Sequence, residues 1–490
     1  MRKLLVVLGV PIDLLDMSET LDRIEQMVQA GRTTGRVHQV ATVNADFVVR
    51  ALFDPELRYL LQNADLLTAD GMPLVWGARC QGVPLQGRVA GADLVPALAR
   101  RAAERGFSIY FLGGGPGVAD RAAILLKEKY PELRIAGIHS PPFGSVLAMD
   151  TSFLEEIRST SPDILLVAFG NPKQEKWIGM YGRSLGVPVM IGVGGSLDFI
   201  AGQTRRAPEW MQRSGFEWLF RLLQEPRRLF RRYVIDLVIF SSLFLRQWLA
   251  MRQAPGTNRL PAAAVLEIVQ EKAIINMHGC LTMASLDTFQ TVAHQALATS
   301  PHILANLEQV GFLDSSATGA LLELGNQARF AGGELSLAAV SPRIHQTLAL
   351  LRLEQLFPTY PDVEAYLNEW THKVSTPSKV AAGWITGPSG RRIWSVVKGC
   401  RVLDASTAQD LIETGARQLA LNPFLICDLS ETVFLASAGL AALAQLRQMA
   451  LNLRGEFRVA NCSKDALRVI KIARFDQVLS LYSDLSLAIA

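Results

Sequence analysis

Over the first two hundred positions, short apolar runs alternate with segments whose apolar residues recur at helical spacing. "FSIYFL" (107–112) passes through "GGGPG" into "VADRAAILLKEKY", which Pro131 ends. "RIAGIHS" follows, then "DILLVAF", then a segment opened by Pro172, then "VPVMIGVGG". Unbroken apolar runs suit strands buried on both faces, and this β-α-β alternation predicts a mostly parallel, doubly wound sheet of Rossmann-like α/β class. Ligands in such a sheet bind outside the carboxyl ends of the strands. The opening "MRKLLVVLGVPIDLL" has the Arg-Lys pair and short apolar run of a signal peptide. Pro11 and Asp13 follow at once with no small-residue cleavage site, so it reads as a first strand.

Beyond residue 250 the pattern copies itself. Polar, Pro- and Gly-containing stretches at 252–261 and 372–390 read as linkers. The two pieces they delimit align without gaps at an offset of 122 residues: Asn306 with Asp428, Phe312 with Phe434, Gly333 with Gly455, Arg352 with Arg474. A shared offset held this long means two copies of one domain, again with strand-helix alternation.

Length and composition agree with several folded domains. The chain has 490 residues, 49% of them apolar and 19% charged, which suits about three cores and excludes a disordered chain. Five cysteines lie far apart with no C-x-x-C pair, against a zinc site or disulfide framework and for a reducing compartment. The net charge of +4 gives no reason to expect nucleic acid. Locally the balance differs: residues 205–252 hold ten Arg, no Lys and four acids, interleaved with aromatics.

The candidate chemistry lies where strands end. In "LLVAFGNPKQEKWI" (165–178) an apolar strand turns through Gly170-Asn171-Pro172 into a helix, placing Lys173 and Gln174 in a first turn beside free N–H groups, a natural anion site. "GGGPGV" (113–118) is a second Gly-rich turn, with Gly113 and Gly114, but it lacks dinucleotide spacing because Val118 holds the last position. "GVGGSLDF" (192–199) brings Gly194 and Gly195 close to any ligand, followed by Asp198. "ADLLTADGMPLVW" (64–76) puts Asp70 at the end of an apolar run, where a partly desolvated carboxylate suits a general base; Asp-Gly is equally a common turn pair. No Asp-x-Asp metal clamp occurs, so a diphosphate here has Arg, Lys and helix N-termini for its charge.

These stretches, with 38–52 ("HQVATVNADFVVRAL"), "GRVAGADLVPALA" (87–99), 192–210 and 215–233, resemble the WecG/TagA/CpsF glycosyltransferases over nearly all of residues 1–245. The resemblance implies an inverting, metal-independent transfer from a UDP-sugar to a polyprenyl-diphosphate-linked sugar, in surface or exported polysaccharide synthesis. It assigns Asp70 as base, Thr42 and Asn44 to the sugar, Arg88 and Gln174 to phosphates, and Asp198 to the uracil or ribose end. Pro141-Pro142-Phe143 departs from the family's Gly-Tyr-Phe, on the nucleotide side of the site.

The basic segment reads as an amphipathic helix lying in an anionic membrane surface, with Arg206, Arg221, Arg228 and Arg231 for lipid headgroups or the acceptor's diphosphate. Its apolar part, 233–245, is shorter than the ~20 residues a span needs; a core helix packed on the sheet is the competing reading. "VGFLDSSATGALLEL" (310–324) resembles the core motif of STAS domains, the anti-sigma-factor-antagonist fold. That resemblance implies a protein partner, such as an anti-sigma-type kinase, and maps the family's phosphoacceptor onto Ser316, with Ala317 where Gly is usual. The second copy, "FLASAGLAAL", has Ala438 at the acceptor position and reads as degenerate. The expected layout is a glycosyltransferase domain over 1–205, a membrane-association appendage over 206–250, and STAS domains over 262–371 and 388–490. No cofactor, metal or nucleic acid is expected, and the place expected is the cytoplasmic face of the membrane. The rival from another class is a STAS-based signalling scaffold whose first domain senses a nucleotide sugar without turnover. Retention of Asp70, Arg88 and Gln174 favours the enzyme. A dehydrogenase suffers from the glycine spacing.

Overall fold

The structure is a computed structural model. It describes the chain except residues 84, 143–151, 215, 225, 253–261, 270–271, 355, 374–381, 387–392, 406 and 490. Two compact units result. The first holds Met1–Pro141, Glu155–Glu175 and Val187–Val374; the second holds Pro142–Leu154, Lys176–Gly186 and Ser375–Ala490.

In element order the first domain contains β1 (Leu4–Val7), β2 (Val10–Asp13), α1 (Met17–Thr34), β3 (His38–Val43), α2 (Ala45–Phe53), α3 (Pro55–Asn63), β4 (Leu66–Ala69), α4 (Met72–Cys80) and α5 (Gly91–Arg105). Then come β5 (Ser108–Gly113), α6 (Val118–Lys129), β6 (Arg134–His139), α7 (Phe153–Thr160), β7 (Ile164–Ala168), α8 (Lys173–Leu185), β8 (Val189–Gly192) and α9 (Ser196–Ile200). The strands pair in the order β4-β3-β8-β7-β5-β6, every pairing parallel. β7 and β8 are buried along their whole length, as unbroken apolar runs require when helices cover both faces. The chain walks outward through β3 and β4, crosses to β5 and β6, and returns through β7 to set β8 against β3. The carboxyl ends of β3, β4, β7, β8 and β5 form one rim.

The expected first strand is β1, but it belongs to a separate antiparallel hairpin with β2. Arg2, read from sequence as half of a signal-like charge pair, turns inward instead, its side chain 9% exposed. It grips Asp13 with two hydrogen bonds of 2.8 and 2.6 Å and donates to the carbonyl of Ala64.

The basic segment folds as α10 (Glu209–Ser214), α11 (Glu217–Gln224) and α12 (Pro226–Arg252). α12 extends past the thirteen apolar residues expected, and its stretch Tyr233–Arg252 is long and apolar enough to cross a membrane by length and composition. One stripe of it is a core face: Phe240, with Ile239, Leu243 and Phe244, packs against α2, α4 and the hairpin. Phe244 lies over Gly77, and the indole N–H of Trp248 donates to Cys80 O. The other stripe, Val234, Ile235, Leu237, Val238, Leu245 and Leu249, is exposed. The core reading therefore describes one face of this helix, while the other face is apolar and exposed.

The first copy comprises β9 (Ala263–Val269), β10 (Lys272–Leu281), α13 (Leu286–Thr299), β11 (His302–Leu313), α14 (Ser315–Phe330), β12 (Glu334–Ala338), α15 (Pro342–Leu350), β13 (Thr359–Tyr360) and α16 (Val363–Lys373), with sheet order β13-β12-β11-β10-β9. The second copy comprises β14 (Ala382–Thr386), β15 (Ile393–Lys398), β16 (Val402–Leu403), α17 (Ala408–Leu421), β17 (Phe424–Asp428), β18 (Phe434–Leu435), α18 (Ser437–Asn452), β19 (Glu456–Ala460), α19 (Lys464–Ile472), β20 (Ser480–Tyr482) and α20 (Leu485–Ile489). Its sheet runs β14-β15-β17-β19-β20, so β14 joins it from upstream of residue 388, inside the stretch read as linker. An edge strand of five residues flanked by Gly, Pro and Ser carries too little alternation to stand out.

The offset of 122 is written into the backbone. Positive φ recurs at Gly332 and Arg454, Ala339 and Asn461, Arg352 and Arg474. Gly333 and Gly455 each press on a proline carbonyl, where an added Cβ meets Pro301 O at 2.1 Å and Pro423 O at 1.8 Å.

Within the first unit, α14 packs against β1. Val6 points into the core of the first copy, while Leu5, Val7 and Leu8 point into the first domain. The hairpin is thus a layer buried on both sides, which its alternating outward positions alone cannot achieve.

Candidate active site

Asp70 follows β4 directly. Its backbone N–H donates to Val43 O at 2.7 Å, tying it to the end of β3, and its carboxylate lies on the side of the Gly91 N–H at the start of α5. The two residues assigned to the sugar lie beside it. Thr42, buried at the end of β3, donates to Gly192 O at 3.4 Å and faces Gly91, where an added Cβ meets Thr42 Oγ1 at 3.3 Å and Ser196 Oγ at 2.6 Å. Asn44 caps α2 by accepting from Phe47 N–H and adjoins Gly71. Burial pushes the Asp70 carboxyl up to about 7, against the downward pull of Arg221 and Arg88 and the Gly91 N–H; Glu217 adds to the upward push. A carboxyl poised there suits a general base near neutral pH.

Positive charge converges on this carboxylate from two directions. Arg88 precedes Val89, whose N–H is bonded to Ala69 O. Arg206 and Arg221 come from the appendage. Arg88 pairs with Glu217 at 2.6 Å, and Arg206 with Asp93 at 2.5 Å. The ε-nitrogens of Arg206 and Arg221 are shielded from solvent and have no hydrogen-bond acceptor among the described residues. A partly exposed guanidinium with an N–H left without an acceptor is suited to phosphate oxygens. Arg231 is exposed on α12, and the side chain of Arg228 lies outside the described ones.

Gln174 takes a place different from the phosphate contact expected of it. It is buried, and its Oε1 accepts the N–H of Gly170 at 3.0 Å and of Gly194 at 2.9 Å, while Nε2 donates to Glu175 at 2.7 Å. Its amide staples the exit of β7 to the exit of β8. Glu175 lies wholly buried behind it, its Oε2 without a hydrogen-bond partner among the described residues, and burial pushes that carboxyl up to about 7. α8 starts at Lys173, one residue after the position expected from Pro172, and Lys173 is exposed. Asp198 lies on α9 with its carboxylate against Gly195. Gly113 and Gly114 close β5, both at positive φ, with the N–H of Gly114 bonded to Ala168 O. Of the departure Pro141-Pro142-Phe143, Phe143 lies outside the described residues.

Among the described residues no group of three or more His, Cys, Asp or Glu is placed to hold a metal. Glu217, Asp93 and Glu175 escape a reading by motif. Only Glu217 left a signal, an i,i+4 pair with Arg221.

In the first copy, Asp314 caps α14 by accepting from the N–H groups of Ser316 and Ala317. Ser315 Oγ donates to Gln81 and accepts from Gln247 of α12. Ser316, the phosphoacceptor by resemblance, is 1% exposed and its hydroxyl has no hydrogen-bond partner among the described residues.

A family model described as the glycosyl transferase WecG/TagA/CpsF family matches residues 5–254, and a STAS domain model matches 263–366 and 400–488. An N-acetylglucosaminyldiphosphoundecaprenol N-acetyl-beta-D-mannosaminyltransferase of Bacillus spizizenii is 31% identical over 189 residues, which is 39% of this chain and 72% of that one. A protein of the same name from Staphylococcus aureus (strain MW2) is 28% identical over 235 residues, 48% of this chain and 90% of that one. Among solved structures, an anti-sigma-factor antagonist (STAS) domain protein of Planctomyces limnophilus aligns over 22% of this chain and 98% of its own. Its TM-score is 0.19 at 20% identity.

Proposed function

The chain belongs to the WecG/TagA/CpsF family of glycosyltransferases, and from that premise we propose that it moves an N-acetylhexosamine or hexose from a UDP-sugar to a sugar carried on a polyprenyl diphosphate. The observation that carries the reading is a half-buried aspartate at a strand's carboxyl end with three arginines gathered about it. The relatives' printed names support the acceptor class, N-acetylglucosamine on a lipid diphosphate.

In the proposed reaction Asp70 takes the proton of the acceptor hydroxyl. The freed oxygen attacks the anomeric carbon from the face opposite the leaving group, and the bond to the diphosphate breaks with its electrons on oxygen. Configuration inverts, and UDP leaves carrying the charge that Arg88, Arg206 and Arg221 meet. Donors fixed where negative charge develops lower the barrier without reorganising. Thr42 and Asn44 flank the sugar, and the Gly194 and Gly113 turns border the nucleotide side. Gln174 acts one layer below, holding the Gly194 turn to the Gly170 turn.

The exposed faces of α11 and α12 suit an interfacial position on an anionic bilayer, where a lipid-linked acceptor resides. The place proposed is the cytoplasmic side of the membrane, in the synthesis of surface or exported polysaccharide. The STAS modules are read as docking or regulatory parts, with Ser316 as a modification site open only in an undocked state.

The test is a donor screen. Full-length protein is incubated with each UDP-sugar, a short-chain prenyl-diphosphate N-acetylglucosamine and EDTA, and the lipid product is weighed by mass spectrometry. A product one sugar heavier, formed with EDTA present, is expected with at least one donor. No acceptor-dependent UDP release with any of them contradicts the proposal.

A further inference from the structure

We infer that Glu217 is a positioning residue for the reaction: it joins Arg88 of the sheet's rim to Arg206 and Arg221 of the appendage, and so fixes where their charge lies against Asp70. The inference rests on the reading under Proposed function and adds to it the device that holds the arginines in place.

Glu217 opens α11, where the helix dipole favours a carboxylate. It is 7% exposed, unusual for a glutamate in a segment rich in arginine. Its Oε2 lies 2.6 Å from Arg88, and its Oε1 lies 3.5 Å from Arg221 and 3.8 Å from Arg206. Asp93 holds Arg206 and stands 3.8 Å from Arg88, but among the described ion pairs Glu217 alone reaches Arg221. Arg221 is also packed over the ring of Phe199, which places it on the α9 side of the rim.

Without the Glu217 carboxylate, Arg88 and Arg221 lose the acceptor they share, leaving Asp70 and Asp93 as the acids near these arginines among the described residues. Repulsion between partly buried guanidinium groups that had shared one carboxylate then favours release of α11 from the rim. The carboxylate thus stands on Arg88 much as a phosphate oxygen would, and an incoming diphosphate inherits a ring of donors already assembled.

A bland alternative makes Glu217 one more negative charge near the base. The two accounts predict opposite signs. The groups facing Asp70 are Arg221 and Glu217 from α11, Arg88 from the stretch before α5, Arg206 from the stretch before α10, and the Gly91 N–H. Removing a mere charge leaves the arginines in place and lowers the pH at which Asp70 ionises. Removing a positioning residue loosens Arg221 and Arg88 and raises it.

The experiment compares wild type, Glu217→Ala, Glu217→Gln, Arg221→Ala and the Glu217→Ala/Arg221→Ala double variant, all full length. The acid limb of kcat/KM is expected to move up by about one unit in Glu217→Ala and in Arg221→Ala, with no further movement in the double variant. Glu217→Gln, which keeps a neutral acceptor for Arg88, is expected to fall between wild type and Glu217→Ala. A downward shift in Glu217→Ala, or an Arg221→Ala shift of equal size in both backgrounds, overturns the inference while leaving the proposed reaction intact. Amide exchange supplies a readout that needs no turnover. Exchange within 217–224 is expected to rise at least about tenfold in Glu217→Ala, with β10 and β11 unchanged. Unchanged exchange in 217–224 overturns the inference even if no substrate is ever found.

Discussion

At the scale of single residues, environment rather than identity separates the carboxylates. Asp13 is buried but gripped by Arg2. Asp70 lies among arginines and is pushed up to about 7 by burial, and Glu175 reaches about 7 with no partner for one of its oxygens among the described residues. Asp70 has to be ionised to accept a proton, so kcat/KM is expected to rise with pH through about 7 and level off above it. A profile flat from pH 5.5 to 8.5 contradicts Asp70 as the group that titrates. Glu175 acts on stability instead. Its folded value lies above the 4.5 of an ordinary glutamate, so the folded chain holds its proton more tightly than the unfolded chain. The resulting stability is full below about 4.5 and is lost as pH rises through about 7. Glu175→Gln is therefore expected to gain relative to wild type between pH 5 and pH 8, read as the difference in denaturation midpoint at the two pH values. A constant difference contradicts the assignment.

At the scale of elements, the strand-turn-helix joints after β4, β5, β7 and β8 were legible because each sets a glycine or proline breaker after an apolar run. The rim of strand ends follows from that pattern, and Thr42, Asn44 and Asp70 lie at the ends of β3 and β4. The direction of Gln174 was not legible. Whether a first-turn side chain points out to a ligand or in to a neighbouring loop depends on the gap between two strands, and only the register of β7 with β8 sets that. For the same reason α12 defeated a one-sided reading, since its inward and outward stripes are both apolar. The outward stripe carries its own expectation. Full-length protein is expected to sediment with anionic vesicles, less so as salt rises. Leu237→Glu/Val238→Glu, at two exposed positions, is expected to abolish most of that binding. Equal sedimentation with neutral vesicles at every salt concentration contradicts an anionic-surface role.

At the scale of the molecule, the duplication was plain from the offset of 122, but the work each copy does was not. The first copy spends its motif helix on the enzyme itself. An added Cβ at Gly319 meets Leu4 O at 2.8 Å, so α14 lies against the hairpin backbone as only glycine permits. Gln247 of α12, wholly buried, accepts from Leu8 N–H and donates to Val6 O and Ser315 Oγ, joining hairpin, appendage and first copy at one amide. Arg2 adds a 3.5 Å contact to Glu323 of α14. Gly319→Val is expected to cost about 1–3 kcal/mol, seen as a lowered denaturation midpoint. Faster exchange in 4–13 is expected with it. Unchanged exchange in the hairpin contradicts this packing.

The most direct measurement on the whole account is kcat/KM for sugar transfer by wild type and Asp70→Asn, with UDP affinity measured alongside. The expected result is a loss of at least about a hundredfold in kcat/KM with UDP affinity kept within a few-fold. Transfer by Asp70→Asn within a few-fold of wild type contradicts the claim that this aspartate activates the acceptor.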